Sequence, residues 1–167
     1  KTQQKYEDTK DSKYKNQIAS LHNKQMALKI ALNSAYGAIG NQYFRFYDIR
    51  IAEAVTYGGQ LSIRWIEIAL NKYLNELMKT EDVDYVIASD TDSVYLTFES
   101  LIEKLQPKDP VKFLDTICSD TIEPFISKKY QELADYTNAY EQKMVMSREV
   151  IADKGIWTAK KRYILNV

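Results

Sequence analysis

"DYVIASDTDSVYLTF", residues 84–98, decides how this chain folds. Two apolar, β-rich runs, VDYVIAS and VYLTF, flank a short polar junction, the pattern of a β-hairpin. Asp90 and Asp92 stand at that junction. On a strand, residues i and i+2 share a side, so the two carboxylates are expected to converge with Thr91 pointing away. Two close carboxylates repel and raise each other's pKa unless a cation lies between them. A hard divalent ion is the natural compensation, and magnesium takes one or two carboxylates together with substrate phosphates. Taken alone, DTDS equally describes a hairpin tip with two solvated acids, since Asp is common in turns.

Outward from the hairpin, the upstream half reads as two long helices. From about Gln17 to Ala38, Leu21, Leu28, Leu32, Ala35 and Ile39 recur at helical steps and form one apolar stripe. Gly37 and Gly40 in GAIGN are a stop signal. YFRFYDIR is expected to be a short extended connector. The second helix runs from about Asp48 to Met78, with Ile51, Val55, Leu61, Ile66, Leu70, Tyr73 and Leu77 mostly inward. The pair Gly58-Gly59 in its middle suggests close packing or a kink. The lysine-rich start, KTQQKYEDTKDSKYKN, reads as a solvated helix or a frayed terminus.

Downstream, a short helix is expected around Ser100–Leu105, broken by QPKDP. Asp109 serves as N-cap and Pro110 as the first residue of the next helix. That helix spans about 111–135, bent at Pro124. The remainder has β character and reads as two strands joined at ADKG, with Met144 and Met146 alternating into the core. The fold class is α+β: long helices first, then a small antiparallel sheet.

Composition narrows the function classes. The 167 residues suit one domain, and 45% hydrophobic with 28% charged residues is a globular balance. With 23 basic and 23 acidic side chains, overall charge carries no nucleic-acid signal. Lysines nevertheless outnumber acids over residues 1–29, and Lys160, Lys161 and Arg162 cluster near the end. A lone Cys118 forbids an intrachain disulfide and suits a reducing compartment. No apolar run reaches transmembrane length, so no membrane role is expected. His22 reads as structural or solvated, Cys118 as a small buried hydrophobe, and Trp65, Trp157 and most of the 13 tyrosines as packing residues.

Three phosphate or metal readings compete at DTDS. An EF-hand loop requires an oxygen ligand, Gly and Glu where this chain has Val94, Tyr95 and Leu101, so it fails. A haloacid-dehalogenase-type phosphatase fits YVIASDTDSV locally, with the first Asp as nucleophile. That fold needs a run of βα units after the motif, and residues beyond Asp92 do not alternate in that way. The third reading is the palm hairpin of a nucleotide polymerase, and the first helix favours it. In KIALNSAYGAIGN, Lys29, Asn33, Tyr36 and Gly37 fall at i, i+4, i+7 and i+8, one stripe of a helix. A cation for phosphates, an amide, an aromatic hydroxyl and a bare backbone position for close approach suit a nucleotide. The plain alternative is a solvent-facing polar stripe.

These residues resemble the motifs of family B DNA polymerases. Lys29-x3-Asn33-Ser34-x-Tyr36-Gly37 is similar to the fingers motif B, Asp90-Thr91-Asp92-Ser93 to the palm motif C, and Lys160-Lys161-Arg162-Tyr163 to the KKxY-type motif. NSAYGAIGNQYFRFYDIRIAEAVTYGGQLSIRWI, MSREVIA and GIWTAKKRYILNV resemble in particular the replicative polymerases of T-even-like phages. The similarity runs from about residue 22 to the end. The resemblance implies a partial palm over residues 41–167, preceded over 1–40 by the C-terminal fingers helix. It implies a DNA-directed DNA polymerase adding dNTPs to a primer 3′-end with two magnesium ions. Asp92 would be the main metal ligand, Asp90 a neighbour acting partly through water, and Glu149 a nearby acid that tunes the site. Lys29 would bind the triphosphate, Asn33 would line that helix face, and Tyr36 and Gly37 would lie under the nascent base pair. Thr91 would lie near the primer end, and Lys160, Lys161, Arg162 and Tyr163 would hold primer-template DNA.

The chain also departs from the family pattern. The D-x-x-S-L-Y-P-S motif A that supplies a further Asp is absent, as are the basic residues of the other fingers helix, the exonuclease and the thumb. Ser89 stands where the family usually has Gly. An isolated chain is therefore expected to bind magnesium weakly and to be inactive, as an excised piece or as one subunit of a split polymerase. Its expected partners are primer-template DNA, dNTP and an N-terminal polymerase portion carrying motif A and the exonuclease. Self-association of the free chain is also expected, and a location in the cytoplasm of a phage-infected host. The alternatives are the phosphatase and a non-catalytic DNA-binding accessory module.

Overall fold

The computed structural model describes residues 12–167. The opening lysine-rich stretch therefore lies largely outside the described residues. Packing divides the chain into two units between Thr56 and Tyr57. The division falls inside a long helix.

In the first unit, α1 spans Ser12–Ile39 and ends within GAIGN, as the glycines suggested. It buries no residue at all. Leu21, Leu28 and Leu32, the expected inward stripe, are 56%, 63% and 73% exposed. Periodicity identifies the face a helix would bury, but a burying partner must be supplied by other chain segments. The YFRFYDIR connector is not extended. It forms successive turns, with Phe44 N–H donating to Asn41 O (2.9 Å) and Tyr47 N–H to Phe44 O (3.0 Å). Asp48 ends these turns and starts α2, Ile49–Met78, where its Oδ1 accepts from Arg50 N–H at 3.0 Å. The Arg50 guanidinium bonds the same carboxylate and holds its pKa below the usual value.

The second unit is organised by the later turns of α2. Its packed face is Ser62, Ile66, Leu70 and Leu74, a strict four-residue step. Ile51, Val55, Leu61 and Leu77, also expected inward, are exposed. Gly58 and Gly59 do not interrupt the helix, and nothing lies within 4 Å of where a Cβ would stand at either. The close packing suggested by the glycine pair is therefore not found.

α3 (Glu99–Leu105), α4 (Pro110–Ile117) and α5 (Glu123–Tyr136) follow later in the chain. Asp109 caps α4 as expected, accepting from Lys112 N–H at 3.1 Å with Pro110 at the first turn. Pro124 does not simply bend a continuous helix. A π-helical turn, Cys118–Ile122, joins α4 to α5, with Glu123 N–H bonded to Cys118 O. A proline lacks an N–H and crowds the carbonyl four residues back, and one wider turn accommodates both demands. Ile122, Ile126, Tyr130 and Leu133 then meet Ile66, Leu70 and Leu74 in one core. Tyr73 stacks on Phe125 at 4.1 Å, and Trp65 Nε1–H donates to Lys129 O at 3.0 Å.

The sheet content is two separate antiparallel hairpins: β1 (Val86–Asp90) with β2 (Ser93–Leu96), and β3 (Lys154–Ala159) with β4 (Arg162–Asn166). The second corrects the expectation of strands joined at ADKG. Its turn is Lys160-Lys161, while residues 141–151 form no strand. Met146 packs against the core from this irregular segment, and Met144 is exposed. The fold is helix-rich α+β with two small sheets rather than one.

Two asparagines one turn apart on α2 fix the first hairpin to the core. Asn71 Oδ1 accepts from Tyr85 N–H (2.9 Å) and Val86 N–H (3.1 Å). Asn75 accepts from Val83 N–H and donates to Val83 O. Tyr85 and Val86 are buried. Asn71→Ala leaves the Tyr85 N–H without its acceptor, so a loss of about 1–3 kcal/mol in urea denaturation is expected. An unchanged midpoint would show that water replaces the amide.

Candidate functional site

Five residues of β1 and four of β2 carry the aspartates, and one irregularity decides which way they face. Val86 pairs with Leu96, but Ala88 pairs with Tyr95, so Ile87 is an extra, bulged residue. A one-residue slip reverses the faces of a strand. Val86 therefore stays in the core with Leu96 and Val94, while Ala88 and Asp90 share the opposite face with Tyr95 and Ser93. Without the bulge, Asp90 would follow Val86 towards the apolar interior, where an unpaired carboxylate is costly.

The turn is tighter than the expected strand geometry. Asp90 pairs directly with Ser93, leaving Thr91 and Asp92 as a two-residue loop. Asp92 is therefore a turn residue and not the i+2 strand neighbour of Asp90. Thr91 has φ 42°, unusual for a β-branched residue and costing about 1–3 kcal/mol. Its hydroxyl donates to Asp90 Oδ1 at 3.0 Å, and Ser93 Oγ–H donates to Asp90 O at 3.2 Å. Asp92 is exposed and, among the described residues, makes no hydrogen bond or ion pair.

The β3–β4 hairpin repeats the same devices. Trp157 pairs with Tyr163 and Ala159 with Arg162, so Thr158 is bulged before the turn. Lys161 occupies a left-handed position at φ 63°. Lys160, Lys161 and Arg162 are all exposed at the tip. Tyr163 faces the other way from Arg162 and packs with Trp157 against Tyr95. The ring centroids are 5.3 Å (Tyr95–Trp157), 5.4 Å (Tyr95–Tyr163) and 6.4 Å (Trp157–Tyr163).

This aromatic cluster brings the two hairpins together. The neighbouring Tyr95 is the main cause that raises the Tyr163 pKa above the ordinary phenol value, and the charges of Glu149 and Asp90 push the same way. Asp90, Glu149 and Tyr163 thus share one electrostatic neighbourhood. Glu149 comes from the irregular segment after α5, which is anchored beside it. Arg148 N–H donates to Glu123 Oε1 at 2.8 Å, and the Arg148 guanidinium pairs with Asp115. Cys118, next to this anchor, is half-buried, and burial raises its thiol pKa, consistent with an inert packing role.

The other expected residues lie in the first unit. Lys29 and Asn33 are exposed on α1, and a Cβ at Gly37 would meet nothing within 4 Å. Tyr36 is held: Thr56 Oγ1 donates to Ala52 O, so the Tyr36 hydroxyl donates to Thr56 at 2.9 Å. Sequence reasoning passed over Tyr95 and treated Trp157 as ordinary packing. The signal available was the aromatic–x₅–aromatic spacing of Trp157 and Tyr163 around a two-residue turn, which makes a cross-strand pair.

Asp90 and Asp92 suit a hard divalent cation in ligand kind, since both offer carboxylate oxygens. Two carboxylates are also the number magnesium commonly takes beside substrate phosphates. Among the described residues no group of three or more His, Cys, Asp or Glu side chains is arranged to hold a metal ion. The phosphatase reading receives no support, because the neighbour of β1 among the described strands is antiparallel and no βα repeat follows.

Two hairpins joined through Tyr95, Trp157 and Tyr163, in a chain with long helices, agree with the comparison to known proteins. Residues 2–165 match the family model of DNA polymerase family B, and the chain belongs to that family. It is 44% identical over 157 residues to the DNA-directed DNA polymerase of Enterobacteria phage T4, which covers 86% of this chain and 18% of that protein. The DNA-directed DNA polymerase of Escherichia phage RB69 is 41% identical over 157 residues, 86% of this chain and 17% of the relative. The DNA polymerase alpha catalytic subunit of Leishmania donovani is 33% identical over 118 residues, 71% and 8% of the two chains. The chain therefore spans less than a fifth of the length of these relatives. No helix among the described residues is long and apolar enough to cross a membrane.

Proposed function

We propose that this chain is the palm portion of a DNA-directed DNA polymerase, with the C-terminal fingers helix before it, acting on a primer 3′-end and an incoming dNTP. The observation that carries the reading is the packing of the Asp90–Asp92 hairpin against the Lys160–Arg162 hairpin through Tyr95 and Tyr163. One hairpin would offer acids for metal and the other bases for a nucleic-acid backbone, and the ring contacts between the hairpins support that pairing.

The residues divide the work by chemistry. Asp92, with Asp90 as neighbour and Glu149 nearby, would hold magnesium. When bound, the two ions supply Lewis-acid stabilisation for in-line transfer of a nucleotidyl group. Lys29 would supply positive charge for the triphosphate from an exposed position on α1. Asn33, Tyr36 and Gly37 line the same stripe. The hydrogen bond to Thr56 fixes the Tyr36 ring, and the bare Gly37 backbone admits close approach of a base pair. Thr91 lies at the turn beside Asp90, where the primer end would meet the acids. Lys160, Lys161 and Arg162 project from the second turn and fit phosphate contacts, which make binding steeply salt-dependent.

Two carboxylates in this chain leave the metal site short of ligands, so the isolated chain should not polymerise. The missing carboxylate would come from a polypeptide that carries motif A, and the assembly would act in the cytoplasm of an infected host. Mixing the chain with the complementary remainder of the phage T4 polymerase tests the reading. Template-directed dNTP incorporation is expected from the mixture and from neither part alone. Duplex binding with no incorporation would favour a non-catalytic DNA-binding module. Hydrolysis of a generic phosphoester by the chain alone would favour a phosphatase.

A further inference from the structure

Two hairpins that share no backbone hydrogen bond are joined through three rings. Tyr95 stands on β2, on the face that carries Asp90. It meets Trp157 edge-on at 78° and Tyr163 at 65°. Trp157 and Tyr163 are a directly opposed cross-strand pair, stacked at 29°. The Tyr95 ring therefore sits in a fixed notch rather than against a flat surface. Edge-to-face pairs prefer this geometry, so the contact has a defined direction.

Gly155 completes the notch. It lies two residues before Trp157 on the same face of β3. A Cβ there would stand 2.8 Å from two atoms of the Trp157 ring and 2.9 Å from Leu165 Cδ2. The glycine backbone is thus the floor over which the indole lies, and a side chain would lift the ring. Arg162 and Tyr163 are neighbours on β4, so strand alternation places Arg162 on the face opposite Tyr163. One hairpin can so grip β2 with its aromatic face while its basic tip stays in solvent.

We propose that Tyr95 is a positioning residue: it seats in the Trp157–Tyr163 notch and sets where the Lys160–Arg162 tip stands relative to the Asp90–Asp92 turn. Tyr95 acts through Tyr163 and Trp157 and does not itself touch nucleic acid. This inference rests on the proposed DNA-binding role of that tip.

The test measures binding of the whole 167-residue chain to a fluorescent primer-template duplex at low salt, alongside fluorine NMR of fluorotryptophan at Trp65 and Trp157. Tyr95→Leu should weaken binding about tenfold, as expected for losing two aromatic edge contacts. It should shift the Trp157 resonance and leave that of Trp65 in place, which shows that the core stays folded. Tyr95→Phe keeps the ring and should restore both binding and resonance. Gly155→Ala should displace the Trp157 resonance and weaken binding from the other side of the notch. A Trp157 resonance unmoved by Tyr95→Leu overturns the proposal. So does a displaced resonance with unchanged binding, or failure of Tyr95→Phe to restore it. If the unaltered chain binds no duplex, the DNA-binding reading falls instead. The tryptophan resonances then still decide whether Tyr95 holds the two hairpins together.

Discussion

Asp92→Ala is expected to lower template-directed incorporation by the complemented assembly about a hundredfold or more. Groups that merely orient metal ligands already cost about 10–100-fold when removed, so a direct ligand should lie at or beyond that range. Asp92 is well suited to this experiment. It sits in an exposed turn and, among the described residues, holds no hydrogen bond or ion pair. Alanine therefore deletes no visible structural interaction, and stability should change by no more than about 0.5 kcal/mol. Asp90 is a poorer choice, because its carboxylate also accepts the Thr91 hydroxyl. A low rate with an unchanged melting point would assign the Asp92 carboxylate to chemistry. Incorporation within a few-fold of the unaltered chain would remove the metal assignment.

Leu70→Ala is expected to cost about 3–5 kcal/mol in urea denaturation, a large share of the ~5–15 kcal/mol a domain possesses. Leu70 is completely buried between Ile66 and Leu74 on α2 and the α5 residues Ile126, Tyr130 and Leu133. Little can close over the vacated volume, because two helices and the Asn71 clamp fix the surroundings. Leu32→Ala is the informative contrast. It deletes the same atoms from a residue 73% exposed and should cost no more than about 0.5 kcal/mol. If Leu32→Ala were as damaging, the α1 stripe would be covered in solution. A concentration-dependent melting point would then show that a second copy covers it.

Much of the element order was legible in residues 12–136. Asp109-Pro110 announces the start of α4 because a cap and a fixed φ are local properties. The DTDS hairpin is legible for the same reason, since β-rich runs around a short polar junction need no distant partner. The burial of Leu21, Leu28 and Leu32 was not legible, because a stripe repeats whether or not anything packs on it. On α2 the expected inward set included Ile51, Val55, Leu61 and Leu77, and only the packing against α5 showed that Ile66, Leu70 and Leu74 are the buried positions. The tail misled because Met144, Val145 and Met146 carry β-like composition, yet Glu123 and Asp115 hold the segment through Arg148 instead of a strand.

The candidate site divides in a similar way. Residue types named the chemistry: carboxylates at one turn, lysines at another, and a Lys, Asn, Tyr and Gly stripe on α1. Membership of DNA polymerase family B was legible in the same motifs. The side on which Asp90 emerges was invisible, because it depends on a single extra residue, Ile87, in the pairing of β1 with β2. A bulge is a property of two strands in register, and one strand's alternation cannot reveal it.

By itself, then, the order of amino acids determined where the main helices lie and where the first hairpin turns. Those outcomes follow from backbone preferences and side-chain chemistry acting over a few residues. Tertiary structure alone decided which apolar stripes are buried, which face of β1 carries Asp90, and that Tyr95 meets Trp157 and Tyr163. Each of these depends on how separate segments pair or pack, and the propensity of a single segment contains no term for such contacts.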